Sequence, residues 1–156
     1  MRIRLIAVGR KMPKWVTRAY EEYAARLPRE CRLELVEIAP GMRKQASDAA
    51  KAIAAEDERM ARAIGRDEHV IALDVDARAW STQALADDLR GWMADGRDRA
   101  ILVGGPDGLG QASRQRADSR RSLSALTLPH PLVRVIVAEQ LFRAHSMLIG
   151  HPYHRA

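Results

Sequence analysis

The chain has 156 residues, 47% of them hydrophobic, which is enough to build the core of one domain without a disulfide or a metal. Its single cysteine, Cys31, excludes an internal disulfide framework and suits a reducing compartment. Residues 5–9 form the only apolar stretch near the N-terminus and are too few for a signal peptide or a membrane span. We therefore expect a cytoplasmic protein with no membrane partner.

The net charge is +6, from 26 Lys and Arg against 20 Asp and Glu, and it is concentrated at the two ends of the chain. Residues 1–28 hold seven basic and two acidic side chains, and residues 111–156 hold the same numbers. Such basic regions favour a polyanionic partner, with nucleic acid first. The alternative is a compositional bias, because 22 of the 26 basic residues are arginine, but the uneven distribution favours nucleic acid.

Taken in chain order, the apolar periodicity alternates between strand-like and helix-like segments. Strands are predicted at residues 2–8, 33–38, 70–73, 100–103 and 122–126. Helices are predicted at residues 13–27, from a Ser47–Asp48 cap to 64, from a Ser81 cap to about 93, and at 132–149. The pattern predicts one α/β domain over residues 1–156, with an open, largely parallel sheet and helices on both faces.

Four of the ten glycines lie within seven residues, directly after the strand predicted at 100–103. Residues 104–110 read Gly-Gly-Pro-Asp-Gly-Leu-Gly. Open α/β sheets bind ligands beyond the carboxyl ends of their strands, and glycine there lets backbone amides approach a ligand closely. The spacing matches neither a phosphate-binding P-loop nor a dinucleotide fingerprint, so a ligand loop and an ordinary glycine-rich turn both stay open.

The segment that joins the last predicted strand to the last helix is a second candidate. Residues 123–130 read Leu-Ser-Ala-Leu-Thr-Leu-Pro-His. Their hydroxyls and main chain can contact a polar ligand, and their leucines can wall an aromatic base. A capped helix start is an equally good interpretation of the same residues.

The last helix is apolar nearly all round, and its charges are Arg134, Glu139 and Arg143. Glu139 and Arg143 have the i,i+4 spacing of a local ion pair. A helix of this kind is buried in a core or covered by a partner, and a chain of this size has little core to cover it. We therefore expect a homodimer.

Four of the five histidines lie in the last 27 residues, at His130, His145, His151 and His154. Their spacings make no helical ligand pair and no second cysteine or acidic cluster accompanies them, so no metal is expected. The tail combines Tyr, His and Arg, which suit base stacking, proton transfer and phosphate contact, with a frayed terminus as the alternative. A nucleophilic hydrolase is not favoured, because no Gly-x-Ser-x-Gly elbow occurs.

These segments together resemble one family, the small bacterial 23S rRNA pseudouridine N3-methyltransferases of the SPOUT superfamily. The resemblance covers essentially the whole chain and rests on residues 1–10, 73–74, 103–109 and 123–130. Its strongest part is residues 132–141 together with the terminal Pro-Tyr-His-Arg. Ala77, Phe142 and His145 depart from the residues that are usual in the family at these positions.

The resemblance implies a deep C-terminal trefoil knot and a homodimer whose active site includes the partner's tail. It implies S-adenosyl-L-methionine as methyl donor and no metal. The residues implied to hold the donor are Leu73, Gly104, Leu123, Ser124, Ala125, Leu126, Thr127 and Leu128. The implied substrate is N3 of a pseudouridine in the helix 69 stem-loop of 23S rRNA within the 70S ribosome, and not DNA.

That reaction suggests roles for the tail, since the N3–H imide proton has a pKa well above neutrality and a base should remove it. His154 is the first candidate for this base or for a proton relay, with a purely binding role as the alternative. Tyr153 is expected to orient the target base, and Arg155 or Arg143 to hold phosphate or stabilise the developing charge. A related knotted methyltransferase acting on tRNA and a non-catalytic RNA-binding or ribosome-binding module are the competing functions.

Overall fold

The computed structural model describes residues 1–155 and contains a five-stranded sheet with helices between the strands. The strands are β1 (Arg2–Val8), β2 (Arg32–Ile38), β3 (His69–Leu73), β4 (Arg99–Val103) and β5 (Ser119–Arg121). The α-helices are α1 (Lys14–Ala24), α2 (Ala49–Ala63), α3 (Thr82–Asp95), α4 (Gln111–Arg116) and α5 (His130–Leu148). Short 3₁₀ turns occur at Arg29–Cys31, Ala46–Asp48 and Pro152–Arg155.

The strand order is β2-β1-β4-β3-β5, and all four pairings are parallel. The chain leaving β1 continues to β2 on one side of the sheet, whereas the chain leaving β4 continues to β5 on the other side. The β1/β4 boundary is therefore a topological switch point, where open α/β sheets bind their ligands. The loop that leaves β4 at this boundary begins with Gly104, so the topology brings the glycine run to the ligand-binding position of the fold.

Side chains of β1 alternate between two cores, one on each face of the sheet. Ile3 and Leu5 pack in the core that α1, α3 and α5 cover, whereas Ile6 and Val8 pack in the core that Met60 of α2 covers. Every residue of β4 is buried, as the continuous apolar run predicts for a strand covered on both faces. The predicted parallel α/β sheet with helices on both faces is confirmed.

The predicted helix boundaries are close to those observed, and the predicted cap of α3 is present. The Ser81 hydroxyl accepts a hydrogen bond from the backbone amide of Ala84 at 3.0 Å. Helix α5 begins at His130, two residues before the predicted start, because Pro129 takes the N-cap position. No helix among residues 1–155 is long and apolar enough to cross a membrane.

The prediction of a strand at residues 122–126 is wrong. The strand is three residues earlier, at Ser119–Arg121, and only Ser122 continues as an isolated bridge to Ala79. The apolar residues that suggested the strand, such as Leu123, belong instead to a loop that lines a cavity. Helix α4, a single short helix directly after the glycine run, was also not predicted.

Candidate functional site

A cavity of about 380 Å³ lies at the carboxyl edge of the sheet, where the loops after β3, β4 and β5 meet. Most of the residues predicted to hold a cofactor line it: Leu73, Gly104, Leu123, Ser124, Leu126, Thr127 and Leu128. Ala125 is exposed on the same loop and is not part of the wall. The structure therefore brings together segments that are 50 residues apart in sequence into one pocket.

The glycine run lines the cavity with backbone atoms, and at its first residue, Gly104, only glycine fits. A Cβ at Gly104 would lie 2.3 Å from the carbonyl carbon of Gly108 and 2.5 Å from the nitrogen of Leu109. Gly108 has a φ of +77° and its amide donates to the carbonyl of Gly105 at 3.0 Å, which closes the turn. The backbone at residue 104 and the backbone at residues 108–109 are so close that no side chain fits between them.

The loop after β5 is held at its start by backbone hydrogen bonds to the segment that precedes α3. The Ser122 amide donates to the carbonyl of Arg78, and the Trp80 amide donates to the carbonyl of Ser122, both at 2.8 Å. Beyond this bridge, the Ser124 hydroxyl accepts from the backbone amide of Leu126 at 2.9 Å. The Leu126 side chain is 73% exposed, so this loop presents an apolar surface at the cavity mouth.

An arginine from the β2–α2 loop holds the glycine run in place. The Arg43 guanidinium donates to the buried Glu56 carboxylate at 2.7 and 3.1 Å, and its Nε donates to Asp107 of the glycine run at 2.7 Å. Bonding to these two carboxylates raises the pKa of Arg43 above its usual value, so the side chain stays charged. We call this group of three residues the Arg43 clamp. The three residues form no recognisable sequence motif, and the clamp was not predicted.

Asp57, which follows Glu56 on α2, holds the C-terminal end of the glycine run. Its carboxylate accepts a hydrogen bond from the Gly110 amide at 3.1 Å and from the Ser113 hydroxyl at 2.5 Å. A Cβ at Gly110 would lie 2.1 Å from the Asp57 carboxylate, so a larger residue there would displace that carboxylate from its partners. Two adjacent acidic residues of one helix thus support the loop after β4, Glu56 through Arg43 at its middle and Asp57 at its C-terminal end.

The first turn of α5 adds His130 to the cavity wall. One turn further along the helix, the Arg134 side chain is buried, donates from Nη1 to Glu37 at 2.7 Å and donates from Nη2 to the carbonyl of Gly9 at 2.8 Å. Partial burial and the nearby Arg134 charge lower the pKa of His130. His130 is therefore neutral at neutral pH. From sequence, His130 stands at the end of the 123–130 segment and among the four C-terminal histidines, but it has no predicted role.

The predicted tail residues form a separate cluster on the last turns of α5. Arg143 donates to Glu139 from Nε at 2.9 Å and from Nη2 at 2.6 Å, and the Tyr153 hydroxyl donates to the same carboxylate oxygen at 2.9 Å. The Arg143 guanidinium lies 5.0 Å from the centre of the Tyr153 ring, and the Phe142 ring lies 4.5 Å from it. We call these four residues the tail cluster. The pKa of Tyr153 is raised, mainly because the side chain is partly buried and also because of its hydrogen bond to Glu139.

His154 and Arg155 follow the tail cluster in the final 3₁₀ turn. His154 Nδ1 contacts the carbonyl of His151, and Arg155 is exposed. Within residues 1–155, none of the tail residues from 142 onward lines the cavity of the same chain. In that part of the chain, no three His, Cys, Asp or Glu side chains converge as a metal site.

Comparison with known proteins defines the class of this fold. The family model described as "Predicted SPOUT methyltransferase" matches residues 1–154. The chain therefore belongs to the SPOUT methyltransferase family, which confirms the resemblance seen in the motifs. The structure of a probable methyltransferase from Bordetella pertussis has the same fold, with a TM-score of 0.62 at 20% identity, over 91% of this chain and 93% of that one.

Curated relatives match the whole chain at higher identity. The ribosomal RNA large subunit methyltransferase H of Alkalilimnicola ehrlichii is 58% identical over 156 residues and covers 100% of both chains. The protein of the same name from Methylococcus capsulatus is 56% identical over 155 residues, 99% of this chain and 100% of that protein. The deep trefoil knot implied by the family concerns how the chain is threaded and stays a prediction.

Proposed function

We propose that this protein transfers a methyl group from S-adenosyl-L-methionine to N3 of a pseudouridine in 23S rRNA, in the helix 69 stem-loop of the assembled ribosome. The observation that carries the proposal is the glycine-walled cavity at the strand edge of a chain that matches full-length relatives named as large-subunit rRNA methyltransferases. A ribosomal substrate means that the protein acts in the cytoplasm.

The residues of the cavity fit the proposed methyl donor. Leu123, Leu126 and Leu128 give the cavity apolar side chains that suit an adenine ring, and the backbone at Gly104 adds a wall without a side chain. Asp74 and Asp76 add carboxylates that suit a sulfonium or ammonium group. The volume of about 380 Å³ lies within the usual range for small-molecule sites.

The donor supplies a methyl group on a positively charged sulfur, so the protein has to position the acceptor nitrogen in line with it and remove the N3–H proton. We assign the removal of that proton to His154, whose imidazole lies in the final turn of the tail and can accept a proton. Arg143 and Tyr153, both tied to Glu139, present a cation and an aromatic ring on the same surface. Such a pair can hold phosphate and stack on a base.

The tail and the cavity have to meet for this reaction, and within one chain they are separate. We infer that two copies form a homodimer, so that the tail of one copy reaches the cavity of the other. Helix α5 supports this arrangement because it is apolar around its circumference, and Ile149 just beyond it is 62% exposed. An isologous dimer would then contain two equivalent composite sites.

The basic N-terminal region supports an RNA substrate. The loop and first turn after β1 expose Arg10, Lys11, Lys14 and Arg18, and they also expose Trp15 to 59% of its full surface. Exposed cations next to an exposed indole suit phosphate contact and base stacking together. The loop starts at Gly9, which lies beside His130 of the cavity wall, so this surface is continuous with the proposed active site.

The test is mass spectrometry of large-subunit rRNA from a strain whose corresponding gene is deleted, before and after complementation with this protein. The expected result is the loss of one methyl group on one pseudouridine and its return on complementation. In parallel, purified protein with labelled donor should methylate 70S ribosomes from the deletion strain. Label that appears in tRNA instead would replace the proposal by a tRNA methyltransferase. RNA binding without any methyl transfer would indicate a non-catalytic module.

A further inference from the structure

His130 is the one ionisable side chain of α5 that lines the cavity, and it has no role in the proposed function so far. Its Nδ1 is buried and has no hydrogen-bond partner within residues 1–155. Its Nε2 is neither in a hydrogen bond nor among the buried unpartnered atoms of that range, so this nitrogen is open to the cavity. The two nitrogens of the ring therefore have different surroundings.

The charge next to the ring selects its tautomer. Arg134 lies one turn along α5, and its own Nε is also buried and unpartnered within the described chain. An Nδ1–H would be buried with no acceptor, and Arg134 adds a positive charge one turn away, so we place the proton of the neutral ring on Nε2. Arg134 cannot turn away, since Glu37 and the carbonyl of Gly9 hold its two terminal nitrogens. The other charge that acts on His130 is Glu56 of α2, and its effect is weaker.

The ring also lies at the border between the cavity and the basic loop. The Cε1 atom of His130 is 3.3 Å from the position that a Cβ of Gly9 would take, and Arg10 and Lys11 follow Gly9. A nucleotide bound by these exposed cations would enter the cavity past His130. The proposed donor loop, residues 123–128, ends two residues before it, on the other side.

We propose that His130 donates its Nε2–H to a carbonyl oxygen of the methyl-accepting base, which makes it a further catalytic residue. This inference rests on the proposed function. In the reaction, the N3–H bond breaks and its proton goes to the base, the N3–CH₃ bond forms, and the S–CH₃ bond breaks to leave a neutral thioether. As N3 loses its proton, negative charge develops on the two flanking carbonyl oxygens, and a neutral N–H donor fixed by the fold stabilises it without first losing its own proton.

Three substitutions separate the two ring nitrogens. The amide nitrogen of Gln lies close to the position of His Nε2, whereas that of Asn lies close to Nδ1. Single-turnover methylation of 70S ribosomes from the deletion strain, at saturating S-adenosyl-L-methionine, measures the chemical step. We expect His130→Ala and His130→Asn to lower this rate by about 10²-fold and His130→Gln to keep most of it. His69→Gln, at the opposite end of β3, is the matched control and should leave the rate unchanged.

Two measurements that do not depend on activity accompany the rates. Calorimetry should give the same S-adenosyl-L-methionine affinity for His130→Ala as for the unsubstituted protein. Nitrogen-15 NMR of labelled histidines should assign the Nε2–H tautomer to His130, identified by the signal missing in His130→Gln. An Nδ1–H tautomer, equal rates for the Asn and Gln variants, or a loss of donor affinity with an unchanged saturated rate would each overturn the inference. Failure of the unsubstituted protein to methylate any ribosome would overturn the proposed function itself.

Discussion

The cavity loops and the tail cluster both carry predicted site residues, but they are held in different ways. Side chains from α2 and from the loop before it hold the glycine run, through the Arg43 clamp at Asp107 in its middle and through Asp57 at its C-terminal end. The tail cluster rests on its own helix through Glu139, and Tyr153 and His154 stay partly exposed. Side-chain anchors on the cavity loop and a partly exposed tail suit the proposed donor site and the proposed acceptor site that a partner copy completes.

The largest effect is expected at the backbone wall of the cavity. In Gly104→Val, the new Cβ would lie 2.3 Å from the carbonyl carbon of Gly108, so the loop has to open to admit the side chain. Calorimetry should show a loss of S-adenosyl-L-methionine affinity of at least about 10²-fold. The matched control is Gly91→Ala on α3, where a Cβ meets nothing within 4 Å. It should keep donor affinity and raise the free energy of unfolding by up to about 1 kcal/mol.

The next effect tests whether the two regions act in trans. His154→Ala should lower the methylation rate by about 10²-fold and leave donor affinity unchanged, because the tail does not line the cavity of its own chain. Mixing this variant with Gly104→Val under conditions that exchange subunits should restore about a quarter of the normal activity, since half of the dimers are then mixed and each has one intact composite site. No recovery after verified exchange would mean that cavity and tail act within one chain.

A smaller effect is expected from loosening the Arg43 clamp. Asp107→Asn removes one of its two ion pairs and leaves Glu56 paired, so we expect about fivefold weaker donor binding with little change in thermal stability. Arg43→Ala leaves the carboxylate of Glu56 buried and unpaired, and should lower the free energy of unfolding by about 2–3 kcal/mol. Unchanged donor affinity in both variants would show that the clamp contributes to stability alone.

The smallest effect concerns the pH dependence of stability. Since the pKa of His130 is lower in the folded chain than its ordinary value of 6.5, the unfolded chain takes up a proton first as the pH falls. Stability should therefore decrease as the pH drops through 6.5 towards the lowered pKa. Denaturant unfolding of His130→Gln should show a shallower decrease over the same range. The lowered pKa values of His69 and His145 keep part of the decrease in place, and a slope identical to that of the unsubstituted protein would contradict the prediction.

Much of the fold could be predicted from sequence because the interior strands β3 and β4 are short continuous apolar runs that are buried in the sheet. Strand β5 could not, since its residues Ser119–Arg121 are polar and sit at the sheet edge, and the apolar residues that follow line a cavity. The position of the glycine run directly after a strand made it a candidate ligand loop. The reason that residue 104 has to be glycine appears only in the structure, as a close backbone approach between residues 104 and 108. The roles of Arg43 and Asp57 depend on contacts more than 50 residues apart, which no local pattern encodes.

Substitutions of the two adjacent acidic residues of α2 should affect donor binding more than they affect folding. Glu56 and Asp57 are both buried, and in a selection for folded protein they would score as ordinary core positions. Glu56 supports the middle of the loop that walls the cavity through Arg43, and Asp57 holds the C-terminal end of that loop, so variants at either position should lose donor binding at temperatures where the chain is still folded. A deep mutational scan scored for both abundance and methylation should therefore show these two positions depleted in the second assay well beyond the first.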